Sequence, residues 1–236
     1  MTQGLYASIT GGVVEKGRGG HPVVEASVFD MDQFISAFNK RNGTKFRSLT
    51  EAQWECGARG EVVDLRNLME IEGIRESDFV DWAQRRFENV FAHRLGSTIY
   101  TDFTKEAFQA VLHSSFRLYG YSVFGHPEGL DGEKVWFNKG EITSVTDKDS
   151  ESRANSFHTI DMPGNVWEWV ADRYGRESYH TLSPIDPVNQ NGEYQVFRGG
   201  SGFDDDSDDV RAASRGRDLP GHHYDDLGFR MALAGH

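Results

Sequence analysis

The segment DMPGNVWEWVADRYG (Asp161–Gly175) combines a turn, a strand and two large core residues. Gly164 and Asn165 are typical of a tight turn, because both residue types tolerate backbone conformations that most residues avoid. The residues after this turn alternate in the manner of a β-strand, which places Trp167 and Trp169 on the same face. Two indole rings bring a large apolar area to a core. The segment therefore predicts a strand that anchors the hydrophobic core.

Further strands are predicted on either side of this segment. EYQVFRG (193–199) and LGFRMALA (227–234) have strand patterns, and KFRSL (45–49) is a shorter candidate. Gly199 and Gly200, at the end of the first of these, suit close backbone approach or a positive φ. Together the strands predict a small antiparallel sheet with long, irregular loops.

Two helices are predicted before the sheet. Residues 27–42 carry apolar side chains at the i, i+3, i+4, i+7 spacing of an amphipathic helix, and Gly43 is a plausible stop. Thr50 and Gln53 have the spacing of a capping box, in which each side chain bonds the other residue's main-chain N–H. This box predicts a second helix that begins at Thr50 and ends at Gly60.

The remaining regions complete an α+β interpretation of one domain covering residues 1–236. The Gly-rich N-terminal residues, MTQGLYASITGG, are predicted to form loop with short strand pieces. The block from about 61 to 150 is interpreted as a partly helical insertion. An exposed apolar stripe at Phe79, Trp82 and Phe87 would favour assembly of an oligomer, whereas burial of that stripe would not.

Composition excludes several classes of function. The chain has 236 residues and a formal net charge of -12, which argues against a general nucleic-acid binder, since phosphates attract clustered Lys and Arg. No apolar run approaches the length of a membrane span, about 18 residues. The first residues lack the basic and apolar regions of a secretory signal. We therefore expect a cytoplasmic or virion-associated protein.

Three ordered segments resemble one known family. They are FRSLTEAQWECGARG (Phe46–Gly60), DMPGNVWEWVADRYG, and FRGGSGFDDDSDDVRAASRGRDLPGHHYDDLGFRMA (Phe197–Ala232). Together they resemble the formylglycine-generating-enzyme subtype of the C-type lectin fold, and residues 21–43 are similar to its first helical segment. The resemblance implies this α+β fold around an insertion. It implies less about function, because one scaffold hosts many functions.

Arginines are expected to hold the irregular loops of such a fold. A guanidinium has five N–H donors and can bond several carbonyls and carboxylates at once. Arg211, Arg215 and Arg230 are the predicted scaffold arginines. Their candidate carboxylate partners are Glu51, Glu55 and Glu168.

Enzymatic activity of that family is not expected here. The resemblance implies that catalytic members bind copper through two cysteines in the C-terminal region, where this chain has none around Ser201–Phe203 or Ala213–Ser214. Cys56, the single cysteine, lies in the early helix. Related sulfoxide-forming enzymes carry an iron-binding His triad, whereas the helical part of the insertion, residues 61 to about 120, offers only His93 and His113. No catalytic residues are therefore predicted.

Metal binding elsewhere has little support. His222, His223, Asp225 and Asp226 could supply metal ligands, although adjacent residues rarely face one ion. An acidic run could hold Ca²⁺ through carboxylate oxygens, but it lacks the EF-hand pattern. Its members are Asp204, Asp205, Asp206, Asp208 and Asp209. No cofactor is predicted, with calcium at this run left open.

The span Gly202–Phe229 has a composition of its own. It contains no Lys, Glu, Gln, Met or Trp, although all five occur upstream. It closely resembles the variable region of a diversity-generating-retroelement target protein, and this places the variable region at about 198–230. In that family, adenine-templated reverse transcription randomises the first two bases of AAC or AAT codons, which cannot yield those five residues. The implied exchangeable positions are Phe203, Asp204, Asp206, Asp208, Ser214, Gly216, Arg217, Asp218, Leu219, Gly221, His222, His223 and Tyr224.

The resemblance implies a ligand-binding display protein of bacterial or phage origin. Side chains of the variable region would contact protein or cell-surface targets, with Phe203, His222, His223 and Tyr224 as the main anchors. The many Asp residues predict a basic partner, and several copies could act together for avidity. The alternative is a formylglycine-generating-enzyme-like, sulfatase-modifying domain without catalytic activity.

Overall fold

The computed structural model describes residues 1–59, 135–148, 150–154, 157–183, 185–204, 206 and 208–234. Within these ranges the α-helices are α1 (Gln3–Thr10), α2 (Val28–Asn42), α3 (Glu51–Arg59) and α4 (Ser178–Thr181). The strands are β1 (Phe46–Ser48), β2 (Trp167–Arg173), β3 (Gln195–Arg198), β4 (Gly216–Asp218), β5 (Leu227–Phe229) and β6 (Met231–Leu233). A 3-10 turn spans Ser150–Arg153. The predicted α+β class is confirmed.

The main sheet has four strands in the order β4-β3-β2-β5. The β2–β3 and β3–β4 pairs are antiparallel, but β2 and β5 are parallel, with Trp169 opposite Phe229. The prediction of a purely antiparallel sheet was therefore wrong. A parallel pair needs a long crossover connection, and the chain from 174 to 226 supplies it. β6 then leaves this sheet and pairs with β1.

Successive residues of β2 enter two different cores. Trp169 packs in a cluster with Met31 and Phe34 of α2. Val170 packs in a second cluster with Trp54 of α3. Because neighbouring side chains on a strand point to opposite faces, α2 and α3 cover opposite faces of the sheet. The strand predicted from the tryptophans thus lies between two helices.

Short-range capping interactions fix the starts of α2 and α3. In α2, the Ser27 N–H donates to Asp30 Oδ2 at 2.9 Å, and the Asp30 N–H donates to Ser27 Oγ at 3.2 Å. In α3, the Thr50 N–H donates to Gln53 Oε1 at 3.1 Å, and the Gln53 N–H donates to Thr50 Oγ1 at 3.2 Å. The predicted capping box is confirmed. Gly43 ends α2 with a φ of 65°.

The N-terminal segment is a helix, and the prediction of loop and strand pieces was wrong. Thr2 caps α1 by accepting the Leu5 N–H, and Gly11 ends it with a φ of 80°. The Tyr6 ring stacks on Phe34 of α2, with ring centroids 5.2 Å apart. Tertiary packing therefore stabilises a short helix that would be marginal alone.

The interpretation of an insertion at about 61–150 falls mostly outside the described residues. Residues 60–134, which include Phe79, Trp82, Phe87, His93 and His113, are not described. Residues 135–148 belong to the main body: the Asn165 N–H donates to the Trp136 carbonyl at 2.8 Å, and the Val145 N–H donates to the Gly20 carbonyl at 2.9 Å. These bonds tie the last part of that block to the framework.

The α-helices in the described ranges are at most 15 residues long. None of the helices found there has both the length and the apolar character needed to cross a bilayer.

Candidate ligand-binding face

A buried carboxylate on α3 holds one end of the segment 215–230, the C-terminal part of the variable region. Arg215 donates from Nε to Glu51 Oε1 at 2.5 Å and from an Nη to Oε2 at 2.7 Å. Glu51 is only 4% exposed. The guanidinium also lies over the rings of Tyr174 and Tyr179, 4.7 and 5.0 Å from their centroids. Paired ionic bonds of this kind fix position as well as charge.

A second buried carboxylate holds the other end. Arg230 donates to both oxygens of Glu168, at 2.6 and 2.7 Å. Trp54 Nε1 donates to Glu168 at 2.7 Å, which ties α3 to β2. Arg230 also bonds the carbonyls of Ile160 and Asp161. The carboxylate therefore has donors from two sides, as a buried charge requires.

Arg198 is a structural arginine that the sequence prediction missed. It is fully buried and donates to Glu55 at 2.6 Å and to main-chain carbonyls of residues 212–214. Arg211 was predicted in this role instead. Its side chain is 28% exposed and bonds Asp208 within its own turn. Arg211 therefore stabilises a local turn and does not reach Glu51, Glu55 or Glu168 in any described contact.

The predicted tryptophan anchors share one partner, Phe197 on β3. The ring centroids of Trp167 and Trp169 lie 5.1 and 5.3 Å from that of Phe197. A Cβ added at Gly216 would lie 1.9 Å from the same ring. Since the Phe197 ring is held between two indoles, it has little freedom to move. Gly216 is thus poorly suited to the free exchange predicted for it.

The turn glycines bring backbone segments into close approach. Gly199 has a φ of 112° and Gly200 a φ of 74°. The Gly164 N–H donates to the Gly199 carbonyl at 2.7 Å. A Cβ at Gly199 would lie 2.9 Å from the Met162 carbonyl oxygen. Only glycine fits at positions 199 and 200 without backbone strain or a steric clash.

Residues 219–226, hereafter the display loop, are attached to the framework through main-chain atoms. The Val28 N–H donates to the Pro220 carbonyl at 3.0 Å, and the Glu25 N–H donates to the Tyr224 carbonyl at 2.9 Å. The Trp167 N–H donates to the Asp226 carbonyl at 2.8 Å. None of these three bonds uses a side chain of the loop.

The side chains of the display loop are exposed and organised. Leu219 is 36% and Tyr224 41% exposed, and both histidines are exposed. The Tyr224 hydroxyl donates to Asp218, and His222 Nδ1 lies 2.8 Å from Asp218 Oδ1. Burial alone would raise the pKa of Asp218, but bonds from Tyr224, the Leu219 N–H and His222 outweigh burial and lower it. The carboxylate is therefore ionised at neutral pH.

The two histidines face different carboxylates. His222 pairs with Asp218, whereas His223 Nε2 lies 3.1 Å from Asp30 Oδ2 on α2. They are not brought to one point, as a shared ion would require.

Residues 201–209, hereafter the acidic turn, also have main-chain bonds to the framework: the Asn138 N–H donates to the Asp204 carbonyl at 2.9 Å, and the Gly202 N–H donates to the Asn165 carbonyl at 2.9 Å. The turn differs from the display loop in also bonding its own main chain through its side chains. The Ser201 N–H donates to Asp204 Oδ2 at 2.6 Å, and the Asp208 N–H donates to Asp206 Oδ1 at 2.8 Å. The Phe203 N–H donates to Ser201 Oγ at 3.2 Å, and the Phe203 ring is 47% exposed. Here the turn uses its own side chains to satisfy its main chain.

Asp226 connects the two segments electrostatically. Burial, Asp204 and Asp225 raise the pKa of its carboxyl, although a hydrogen bond with Ser201 opposes the rise. Asp226 of the display loop therefore lies beside the acidic turn.

The other predicted exchangeable positions differ in their surroundings. Arg217 lies over the Tyr174 ring at 4.2 Å, on the opposite face of β4 from Asp218. The Ser214 carbonyl accepts a bond from Arg198. Gly221 has room for a side chain, since an added Cβ would meet only Phe29, at 3.5 Å. The three predicted positions on β4 therefore divide between its two faces, with Arg217 on one and Gly216 and Asp218 on the other.

The residues do not fit the copper site implied by the family resemblance. That site needs two thiolates, and Cys56 is the only cysteine, exposed on α3. Over the part of the chain that the structure describes, no group of three or more His, Cys, Asp or Glu is arranged to hold a metal. Asp205 of the acidic run is outside those residues.

Two bacterial proteins are similar in sequence to part of this chain. Serine/threonine-protein kinase pkn1 of Chlamydia caviae is 39% identical over 110 residues, which are 44% of this chain and 17% of the kinase. Formylglycine-generating enzyme of Streptomyces coelicolor is 35% identical over 83 residues, 34% of this chain and 26% of the enzyme. The chain thus corresponds to a small part of each protein's length.

A solved structure supports the fold. Treponema denticola variable protein 1 has a TM-score of 0.57 at 17% identity, and the match covers 99% of this chain and 81% of that one. The model of the sulfatase-modifying factor enzyme 1-like domain matches residues 3–234. The chain therefore belongs to the family of sulfatase-modifying factor enzyme 1-like domains.

Proposed function

We propose that this chain is a ligand-binding display protein whose variable region, about 198–230, is diversified in the manner of a diversity-generating-retroelement variable protein. One observation carries the proposal: the display loop is bonded to the framework by main-chain atoms while its side chains face solvent. A loop attached in this way can exchange side chains without losing its conformation.

The framework supports recognition by limiting the entropy lost on binding. A preorganised surface orders fewer groups when a partner arrives, which improves affinity without new contacts. The pairs Arg215–Glu51 and Arg230–Glu168 lie at the two ends of the segment that bears the display loop. Aromatic and imidazole rings at positions 222–224 then offer contact area on a fixed backbone.

The proposed target is a protein or cell-surface ligand with a basic surface. Carboxylates of Asp30, Asp218 and Asp225 surround the exposed rings of the display loop. Complementary charge speeds association and selects partners, and salt screens it. A non-catalytic sulfatase-modifying-type domain remains the second candidate, favoured by the family and by the lack of a cysteine pair.

The proposal is tested by two libraries displayed on yeast. One randomises Leu219, His222, His223 and Tyr224 together, and a matched control library randomises Trp54, Glu168, Trp169 and Arg198. We expect most loop variants to fold, with Tm values within about 3 °C of the parent, and most control variants to unfold. Selection on lysozyme, a basic protein, should then yield binders from the loop library. Loop variants that unfold as often as the controls would refute the proposal.

A further inference from the structure

We propose that Phe29 and Asp30, in the first turn of α2, form a fixed part of the same binding face. We infer that this face fits a protein segment in which Arg or Lys side chains alternate with apolar ones. The inference rests on the proposed function and extends it to residues outside the variable region.

Phe29 does not belong to the buried side of its own helix. Val28, Met31, Phe34 and Ile35 are 7%, 1%, 1% and 8% exposed, and they pack in the core between α2 and the sheet. The Phe29 side chain is 57% exposed. An aromatic ring left in water at this position contributes little to folding. Its exposed area is available to a partner.

The display loop passes directly beside Phe29. A Cβ on Gly221 would lie 3.5 Å from Phe29 Cε2, which is ordinary van der Waals contact. The adjacent Val28 N–H bonds the Pro220 carbonyl. Leu219 and Tyr224, on either side of this contact, are also exposed. A partner that contacts the display loop here meets a fixed ring as well as the exchangeable ones.

Charged groups around these rings are mostly acidic. Asp30 and Asp218 accept bonds from His223 and His222, and Glu25, Asp225 and Asp226 lie on the connected backbone. The two imidazoles are the basic side chains among these described contacts. Asp30 is also tied to Ser27 through the capping box, so its position does not depend on the residue at 223. An apolar centre with an acidic rim is complementary to a basic segment with apolar residues.

The test uses three acetylated, amidated hexapeptides: one alternates Arg and Leu, one Arg and Ser, and one Glu and Leu. ¹H–¹⁵N spectra of the full chain follow each titration. We expect the Arg–Leu peptide to shift the amides of Phe29, Asp30 and residues 222–224 with one dissociation constant. The Arg–Ser peptide should bind at least about fivefold more weakly, and the Glu–Leu peptide should cause no shifts.

The variants are Phe29→Ala and, as a matched control, Ile185→Ala, which removes an apolar side chain 77% exposed in another loop. Phe29→Ala should weaken binding of the Arg–Leu peptide by about tenfold, and Ile185→Ala should leave it unchanged. Shifts at 222–224 without shifts at Phe29, an unaffected Phe29→Ala variant, or no shifts with the Arg–Leu peptide would each overturn the inference. The library experiment could still succeed, so failure of this inference is distinguishable from failure of the proposed function.

Discussion

The display loop and the acidic turn have similar exposure but different support. Tyr224 is 41% exposed in the loop, and Phe203 is 47% exposed in the turn. The loop is fixed by main-chain bonds to Glu25, Val28 and Trp167. The turn also has main-chain bonds to Asn138 and Asn165, and carboxylates of its own Asp204 and Asp206 close it in addition. Exposure alone therefore does not make a position exchangeable.

The difference separates two kinds of variable position. A residue whose side chain bonds no main-chain group can change at little structural cost, and one whose side chain closes a turn cannot. The resemblance to a variable region treats both segments alike. We therefore expect exchange at Leu219, Gly221, His222, His223 and Tyr224 more than at Asp204 and Asp206.

The largest loss of stability is expected for Gly216→Ala, although Gly216 lies in neither the display loop nor the acidic turn. Gly216→Ala places a methyl group against the Phe197 ring, between Trp167 and Trp169, and should destabilise the fold by about 3 kcal/mol. Gly221→Ala is the matched control and should change the free energy of unfolding by less than about 0.5 kcal/mol. Urea denaturation measures both. Equal effects at the two glycines would show that packing does not limit exchange here.

Asp204→Ala tests the acidic turn directly. The substitution leaves the Ser201 N–H without its charged acceptor. We therefore expect the free energy of unfolding to fall by about 1.5 to 2 kcal/mol. Asp225→Ala, an exposed aspartate of the display loop, serves as the control and should be nearly neutral. Urea denaturation again provides the measurement. A neutral Asp204→Ala variant would remove the distinction between the two segments.

Asp226→Asn tests how the carboxyl group between the acidic turn and the display loop affects stability. Because the folded-state pKa of Asp226 is raised, its ionisation opposes folding, and the native protein loses stability as pH rises through that pKa. The Asn variant should therefore be more stable at pH 7, by about 1 kcal/mol or less. The advantage should vanish below the ordinary Asp pKa of about 3.9. A variant less stable at pH 7 would show that the carboxylate is needed structurally.

The smallest change in stability is expected when both histidines are replaced. Simultaneous His222→Ala and His223→Ala removes two exposed pairs with carboxylates, each worth little in water, so the Tm should fall by less than about 3 °C. Differential scanning calorimetry at pH 7 checks this. A fall of 10 °C or more would mean that side chains, and not the main chain, hold the display loop.

Short-range signals explain which parts of the fold were predictable. The α2 periodicity and the Thr50–Gln53 box act within a few residues, and both predictions are confirmed. α1 was missed because its stability comes from Tyr6 packing on Phe34, a contact between distant residues. The parallel β2–β5 pair was missed for a similar reason, since no local pattern states which strand will lie beside another.

The candidate site shows the same limit. Arg198 and Arg211 are both arginines of the variable region. Arg198 is buried because distant parts of the chain pack around it. A signal was available, because strand alternation places Arg198 on the same face as the buried Val196. The main-chain attachment of the display loop had no such signal, since backbone hydrogen bonds leave no residue pattern.

Native-state hydrogen exchange tests the central claim most directly. The amides of Glu25, Val28 and Trp167 donate the three bonds that hold the display loop. Their exchange rates are compared between the native chain and a variant carrying His222→Ala, His223→Ala and Tyr224→Ala. We predict rates equal within about threefold. Exchange at these three amides that becomes a hundredfold faster, with the rest of the sheet unchanged, would contradict a framework that holds the loop independently of its side chains.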